Sequence, residues 1–165
     1  MTTLPTGTRR GFTFVELVFV TLLLTILLMA AAPNFRGTWR GLQMERSAVD
    51  MAQMLRSARV LAIARAEPVR WEWDERLQRA QLMLLHESPE GQVEPAPIEG
   101  RLGRAHVLPG EVALTVWRED EPVKDIQFFP DGTSDSTRLL FGDPNDPRYQ
   151  IEVDGSTSVV ALRKE

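Results

Sequence analysis

The sequence predicts an α+β fold: a long N-terminal helix, membrane-length in its first half and amphipathic in its second, packed on a C-terminal antiparallel β-sheet or β-sandwich. Three observations predict it. An apolar run opens the chain from Phe12 to Ala32, a helical stripe follows, and from Val69 onward the apolar period is two.

The chain has 165 residues, which suits one ordinary domain. A chain of that size buries roughly 70% of its unfolded surface, so it needs neither metal nor disulfide to hold a core. Its 43% hydrophobic and 25% charged residues are near globular averages and exclude wholesale disorder. The net charge of −4 gives no general electrostatic reason to bind nucleic acid. Cysteine is absent, which removes disulfide scaffolds, cysteine-ligated zinc, iron–sulfur clusters and thiol catalysis.

Between Phe12 and Ala32 only Thr13, Glu16, Thr21 and Thr25 are polar. At about 1.5 Å per residue, these twenty-one residues span roughly 30 Å as a helix, the thickness of a bilayer's hydrocarbon. A secretory signal peptide would account for Arg9 and Arg10 and for Ala30-Ala31-Ala32, but the run is too long for its apolar region and Pro33 is a poor mature terminus. A plain signal anchor would account for the length. Neither accounts for Glu16, because a carboxylate within a membrane helix costs a few kcal/mol and marks function. Arginines flank the run on both sides, so the positive-inside rule is close to a tie.

Glu16 stands five residues after Gly11, directly behind the basic pair. The string Arg10-Gly11-Phe12-Thr13-Phe14-Val15-Glu16-Leu17 resembles the processing site of type IV prepilins and type II secretion pseudopilins. The resemblance implies a leader of residues 1–11, cut after Gly11 by a membrane prepilin peptidase, and N-methylation of Phe12. It implies that Glu16 meets a neighbour's N-terminal amine in the filament, and that Pro33 kinks the helix. Residues 12–33 would then be the transmembrane and filament-core helix, 34–66 its amphipathic half, and 67–165 a periplasmic β-rich domain. Loss of Arg9 and Arg10 with the leader would take the net charge from −4 to −6.

After Pro33-Asn34 and Gly37 the chain reads as helical again from about Thr38 to Ala66. Leu42, Glu45, Ala48, Ala52, Leu55, Arg59 and Ala62 trace one stripe, which Met44, Met51, Met54 and Val60 widen. The methionines read as a face packed on a sheet rather than an adaptable contact surface. Glu67-Pro68 ends the helix, since the residue before proline leaves the α region. Val69, Trp71 and Trp73 alternate with Arg70, Glu72 and Asp74 as a half-buried strand, and Gln78 to Leu85 is a second. Pro89, Gly91, Pro95, Pro97, Gly100 and Gly103 mark 87–103 as a loop. Strands follow at Val112–Arg118, Ile126–Phe129, Arg138–Phe141, Tyr149–Val153 and Ser158–Leu162. Asp154-Gly155 predicts a two-residue hairpin between the last two, and Asp143-Pro144-Asn145 another turn. The segments Ala52–Ala66 and Phe129–Ser134, with Leu139–Phe141 and Tyr149–Val160, resemble the H-type minor pseudopilins and their FimT-type relatives.

No other chemistry stands out. His86 and His106 lack ligand-spaced partners, and Gly100 and Gly103 are too sparse to cradle a phosphate. Asp143, Asn145 and Asp146 hint at calcium, but Pro147 and Arg148 break the EF-hand pattern, and a solvated turn is the better reading. Trp39, Trp71, Trp73 and Trp117 could stack bases, yet two of them alternate on a strand and read as core. What the resemblance implies is a non-enzymatic minor pseudopilin of a type II secretion system, without cofactor or metal, anchored in the inner membrane with a periplasmic globular domain. Its implied partners are other major and minor pseudopilins, the prepilin peptidase and the inner-membrane assembly platform, with no nucleic acid. The alternatives are a FimT-type minor pilin of a type IV pilus, for assembly priming or DNA uptake, and a signal-anchored periplasmic enzyme or binding module.

Overall fold

The computed structural model describes residues 12–88 and 91–164, and of residues 30–36 the backbone alone. They fall into two compact units, one ending at Trp39 and one beginning at Arg40. Helix α1 spans Phe14–Arg65 and supplies both with their helical residues. The interruption expected at Pro33 to Gly37 does not divide it. A proline forfeits one intrahelical hydrogen bond, and the long helix-favouring runs on either side outweigh that loss. The side chain of Pro33, and the kink expected there, lie outside the described residues.

In the second unit α1 turns one face inward. Ala48, Met51, Ala52, Leu55, Ala58 and Ala62 are buried, with Met44, Met54 and Leu61 packed against them. Alanines at four of these six positions bring the helix axis close to what it covers. Leu42, Glu45 and Val60, expected in the same stripe, are exposed. The helix stops at Arg65, three residues before Pro68, in a Schellman arrangement: Glu67 N–H donates to Ala62 O at 3.3 Å and Ala66 N–H to Ile63 O at 3.4 Å. Ala66 sits at φ 53°, a left-handed conformation that glycine usually supplies.

Ten strands follow among the described residues. They are β1 Val69–Asp74, β2 Arg79–Glu87, β3 Val93–Pro97, β4 His106–Val107, β5 Leu114–Arg118, β6 Glu121–Pro122, β7 Asp125–Phe128, β8 Thr137–Asp143, β9 Asp146–Val153 and β10 Val160–Lys164. All pairings are antiparallel. One sheet runs β3-β2-β1-β7 with β4 beside β2, and the other runs β10-β9-β8-β5-β6. A single core joins the α1 face to Trp71, Leu82, Ile126 and Phe128 of the first sheet and to Val116, Leu139, Phe141 and Ile151 of the second. In β1, Val69, Trp71 and Trp73 point inward as their alternation predicts.

Two connections depart from expectation. The loop expected over 87–103 contains β3, which pairs with β2 from Met83↔Pro97 to Glu87↔Val93. Prolines two apart turn both nitrogens to one side of a strand, and an outermost strand can leave that side unpaired. Asp154-Gly155 does not form a two-residue hairpin, because Val160 pairs with Val153 and residues 154–159 form the loop. The tight turn lies instead between β8 and β9, where Asp143 pairs with Asp146 across Pro144-Asn145.

Candidate functional site

The first turn of α1 gathers the chemistry of the N-terminal unit. Thr13 precedes the helix, and its Oγ1 accepts the Glu16 N–H at 3.2 Å, while its carbonyl accepts the Leu17 N–H at 3.1 Å. Thr13 is therefore the N-cap and Glu16 the third helical residue. Thr-x-x-Glu is the capping-box pattern, a signal present in the sequence that reading Glu16 only as a membrane carboxylate passes over. At the positive end of the helix dipole, a carboxylate in the first turn is favourable before any partner is considered.

Beyond this turn the helix satisfies its own polar groups. The Thr21 hydroxyl donates to Val18 O at 2.9 Å, and that of Thr25 to Thr21 O at 2.7 Å. No neighbour is needed for either, which suits apolar surroundings. Phe12 is 80% exposed, and Phe14, Val15, Leu17, Phe19, Leu22, Leu27 and Met29 are also bare. An apolar surface this continuous calls for lipid or protein cover. Glu16 is exposed, and among the described residues no side chain pairs with its carboxylate. Gly11, with Arg9 and Arg10, lies outside the described residues, so the geometry of the expected cleavage point does too. Among the described residues no helix is long and apolar enough to cross a membrane. Described side chains stop at Met29, whereas the expected span continues to Ala32.

In the second unit the residues weighed for other chemistry stay apart. His86 on β2 meets Glu67 at 3.0 Å, and His106 lies on β4 opposite Ala80. Among the described residues no group of three His, Asp or Glu could hold a metal ion. Asp143 turns its Oδ1 to the Asn145 N–H at 2.9 Å, which makes the acidic cluster a self-bonded turn. Trp71 and Trp73 are buried and unavailable for stacking.

Two loops at the strand ends are tied together. Asp154 Oδ1 accepts the hydroxyls of Ser156 at 2.7 Å and Thr157 at 2.8 Å, and both their N–H groups. The Ser156 hydroxyl first, then the Thr157 hydroxyl, bring this carboxyl down to about 2. Asp131 is lowered in the same way by the Thr133 hydroxyl and N–H. Ser134 N–H donates to Gly155 O at 2.8 Å, and Gly155 N–H to Ser136 Oγ at 3.0 Å. A side chain at Gly155 would collide with this neighbouring backbone. These contacts build a rigid corner, not a reactive one.

Residues 47–157 match the family described as type II transport protein GspH. The chain belongs to the GspH family. The match begins in the second half of α1 and ends in the β9–β10 loop, so it owes nothing to the Gly11–Glu16 string. Two solved structures of the minor pseudopilin EpsH from the type II secretion system of Vibrio cholerae share the fold. One has a TM-score of 0.60 at 13% identity over 74% of this chain and 96% of that one. The other has a TM-score of 0.59 at 12% identity over the same shares. The type IV minor pilin FimU of Pseudomonas aeruginosa is similar at a TM-score of 0.52 and 15% identity, over 73% of this chain and 87% of that one. No curated protein matches the sequence. The fold is thus the pilin-like α+β fold shared with the minor pseudopilin EpsH and the minor pilin FimU.

Proposed function

We propose that the chain is a minor pseudopilin of a type II secretion system, a non-enzymatic subunit near the tip of the periplasmic pseudopilus. The observation that carries this reading is the GspH-family match over 47–157, on a chain whose α1 begins with a bare apolar helix and a capped Glu16. On this reading the prepilin peptidase cuts after Gly11, and Phe12 becomes the N-methylated first residue. The inner-membrane platform then draws the subunit into a filament that pushes folded proteins outward, with the globular unit in the periplasm.

The geometry of the first turn gives Glu16 a double task. Cleavage would leave a cationic amine one residue before the N-cap, at the positive end of the helix, which that helix alone disfavours. The Glu16 carboxylate, one turn inside, offsets this charge, and between packed subunits it can take a neighbour's amine as partner. A carboxylate and an amine each left alone in an apolar bundle would be costly, and together they compensate.

The likeness to FimU supports a second reading, a minor pilin of a type IV pilus. Both readings share the processing step. Intact-mass measurement of protein from membranes tests it: the expected chain begins at N-methylated Phe12. A chain retaining Met1, or one beginning at Pro33, overturns both.

A further inference from the structure

Beside its buried stripe, α1 is not uniformly polar. Arg56, Ser57, Val60, Leu61 and Ala64, with Leu102 from the loop after β3, enclose an open groove of about 290 Å³. Its lining is chiefly apolar, with Val60 64% exposed and Leu102 45% exposed. Ser57 and Ala64 are short enough to leave room between the larger side chains.

Leu102 is held where it stands. Ile98 is buried at the start of its loop, and Leu108, just past β4, donates its N–H to Gln78 O at 2.8 Å. Arg104 N–H closes a turn on Arg101 O at 3.4 Å, with Leu102 inside that turn. Gly103 packs so closely on the Ile98 carbonyl that any side chain there would run into it. A leucine presented by a braced turn beside an exposed valine is an arrangement that folding alone does not require.

The one charged residue that lines the groove, Arg56, and the charged chain neighbour of Leu102, Arg101, are both arginines. Arg56 lines it and spends one N–H on Val160 O at 3.0 Å, while Arg101 and Arg104 flank Leu102 and are exposed. Among the described residues none of these three forms an ion pair, although Asp and Glu outnumber Lys and Arg by 23 to 19 in the chain. Glu99, in the same loop, pairs with neither Arg101 nor Arg104. An apolar trough with guanidinium groups free of carboxylate partners complements a ligand with apolar side chains on one face and carboxylates beside them.

We propose that this groove docks an acidic amphipathic helix of a partner protein. The helix lays its apolar side chains between Val60 and Leu102 and turns its carboxylates to Arg56, Arg101 and Arg104. The contact lies wholly within the second unit, and the proposal does not depend on which secretion or pilus system the chain serves.

The test uses the full chain in nanodiscs of zwitterionic lipid, with empty nanodiscs as the blank. Fluorescence anisotropy follows a labelled helical peptide of about four turns bearing a leucine stripe flanked by glutamates. A second peptide carries lysines in place of the glutamates, and a third carries serines in place of the leucines. The glutamate–leucine peptide is expected to bind at least about tenfold more tightly than either of the others, and less tightly as salt rises. Val60→Glu and Leu102→Ser change exposed positions that the fold does not need, and each should weaken binding about tenfold. Arg101→Glu with Arg104→Glu should reverse the preference toward the lysine peptide. Equal binding of the glutamate and lysine peptides, or unchanged binding by both Val60→Glu and Leu102→Ser with unaltered circular dichroism, overturns the proposal. Self-association of the full chain that Val60→Glu abolishes would assign the groove to a second copy and overturn it equally.

Discussion

Trp71 offers the sharpest test of how the two sheets and the helix share one core. It lies on β1 between Leu82 of β2 and Ile126 of β7, and it is fully buried. An aromatic side chain of this kind removes roughly 200 Å² from water, which at about 25 cal/mol per Å² is about 5 kcal/mol. Truncation to alanine keeps a little of that burial and opens a cavity, for a loss of about 4 kcal/mol. The indole Nε1 is buried without a partner, so truncation also relieves an orphan donor worth about 1 kcal/mol. The net cost of Trp71→Ala is therefore about 3 kcal/mol, against a total of roughly 5–15 kcal/mol for a domain. Trp71→Phe keeps most of the ring and sheds the N–H, and should cost less than about 1.5 kcal/mol. Urea unfolding of the Arg40–Glu165 fragment, followed by circular dichroism, measures both, with Leu77→Ala at an exposed turn as the control within about 0.5 kcal/mol. A cost below about 1 kcal/mol for Trp71→Ala would refute the shared core, and so would a phenylalanine variant as unstable as the alanine one.

Two further outcomes follow from local geometry. Ala66→Gly relieves the left-handed conformation at the end of α1 and should raise stability by about 0.5–1 kcal/mol, read from the urea midpoint; a loss of stability would contradict the Schellman reading. Asp154→Asn keeps the shape and removes the charge of a carboxyl held at about 2, below its ordinary 3.8. The native carboxylate stabilises above the unfolded value and loses that effect as pH falls through the folded one. The variant should thus melt lower than the wild type at pH 7, and the gap should close between about pH 4 and pH 2.

Much of the fold could be read because local pattern and tertiary demand agree. Val69, Trp71 and Trp73 alternate and are all buried, and Ala48, Met51, Ala52 and Leu55 lie at helical steps and face one core. The misses have tertiary causes. Prolines argue against a strand, yet Pro95 and Pro97 sit where β3 forms the outer member of its sheet. Asp154-Gly155 carries a hairpin signal, but the Asp154 side chain gathers Ser156 and Thr157, and the chain takes a longer route. Val60 is apolar and in helical register, but it faces outward into the groove with Leu102, a proximity that no local window contains. The candidate site was legible as a string, Gly11-Phe12-Thr13-Phe14-Val15-Glu16. The capping role of Thr13 lies in the same string as Thr-x-x-Glu, and its Oγ1 accepts the Glu16 N–H.

The most direct measurement of the proposed function is the fate of exported proteins when this chain is removed. Deletion of its gene, followed by quantitative mass spectrometry of culture medium and periplasm, should show folded exoproteins held in the periplasm and missing from the medium. A plasmid copy of the full chain should restore them. Unchanged secretion together with loss of surface pili would contradict the type II assignment and identify the chain as a minor pilin instead.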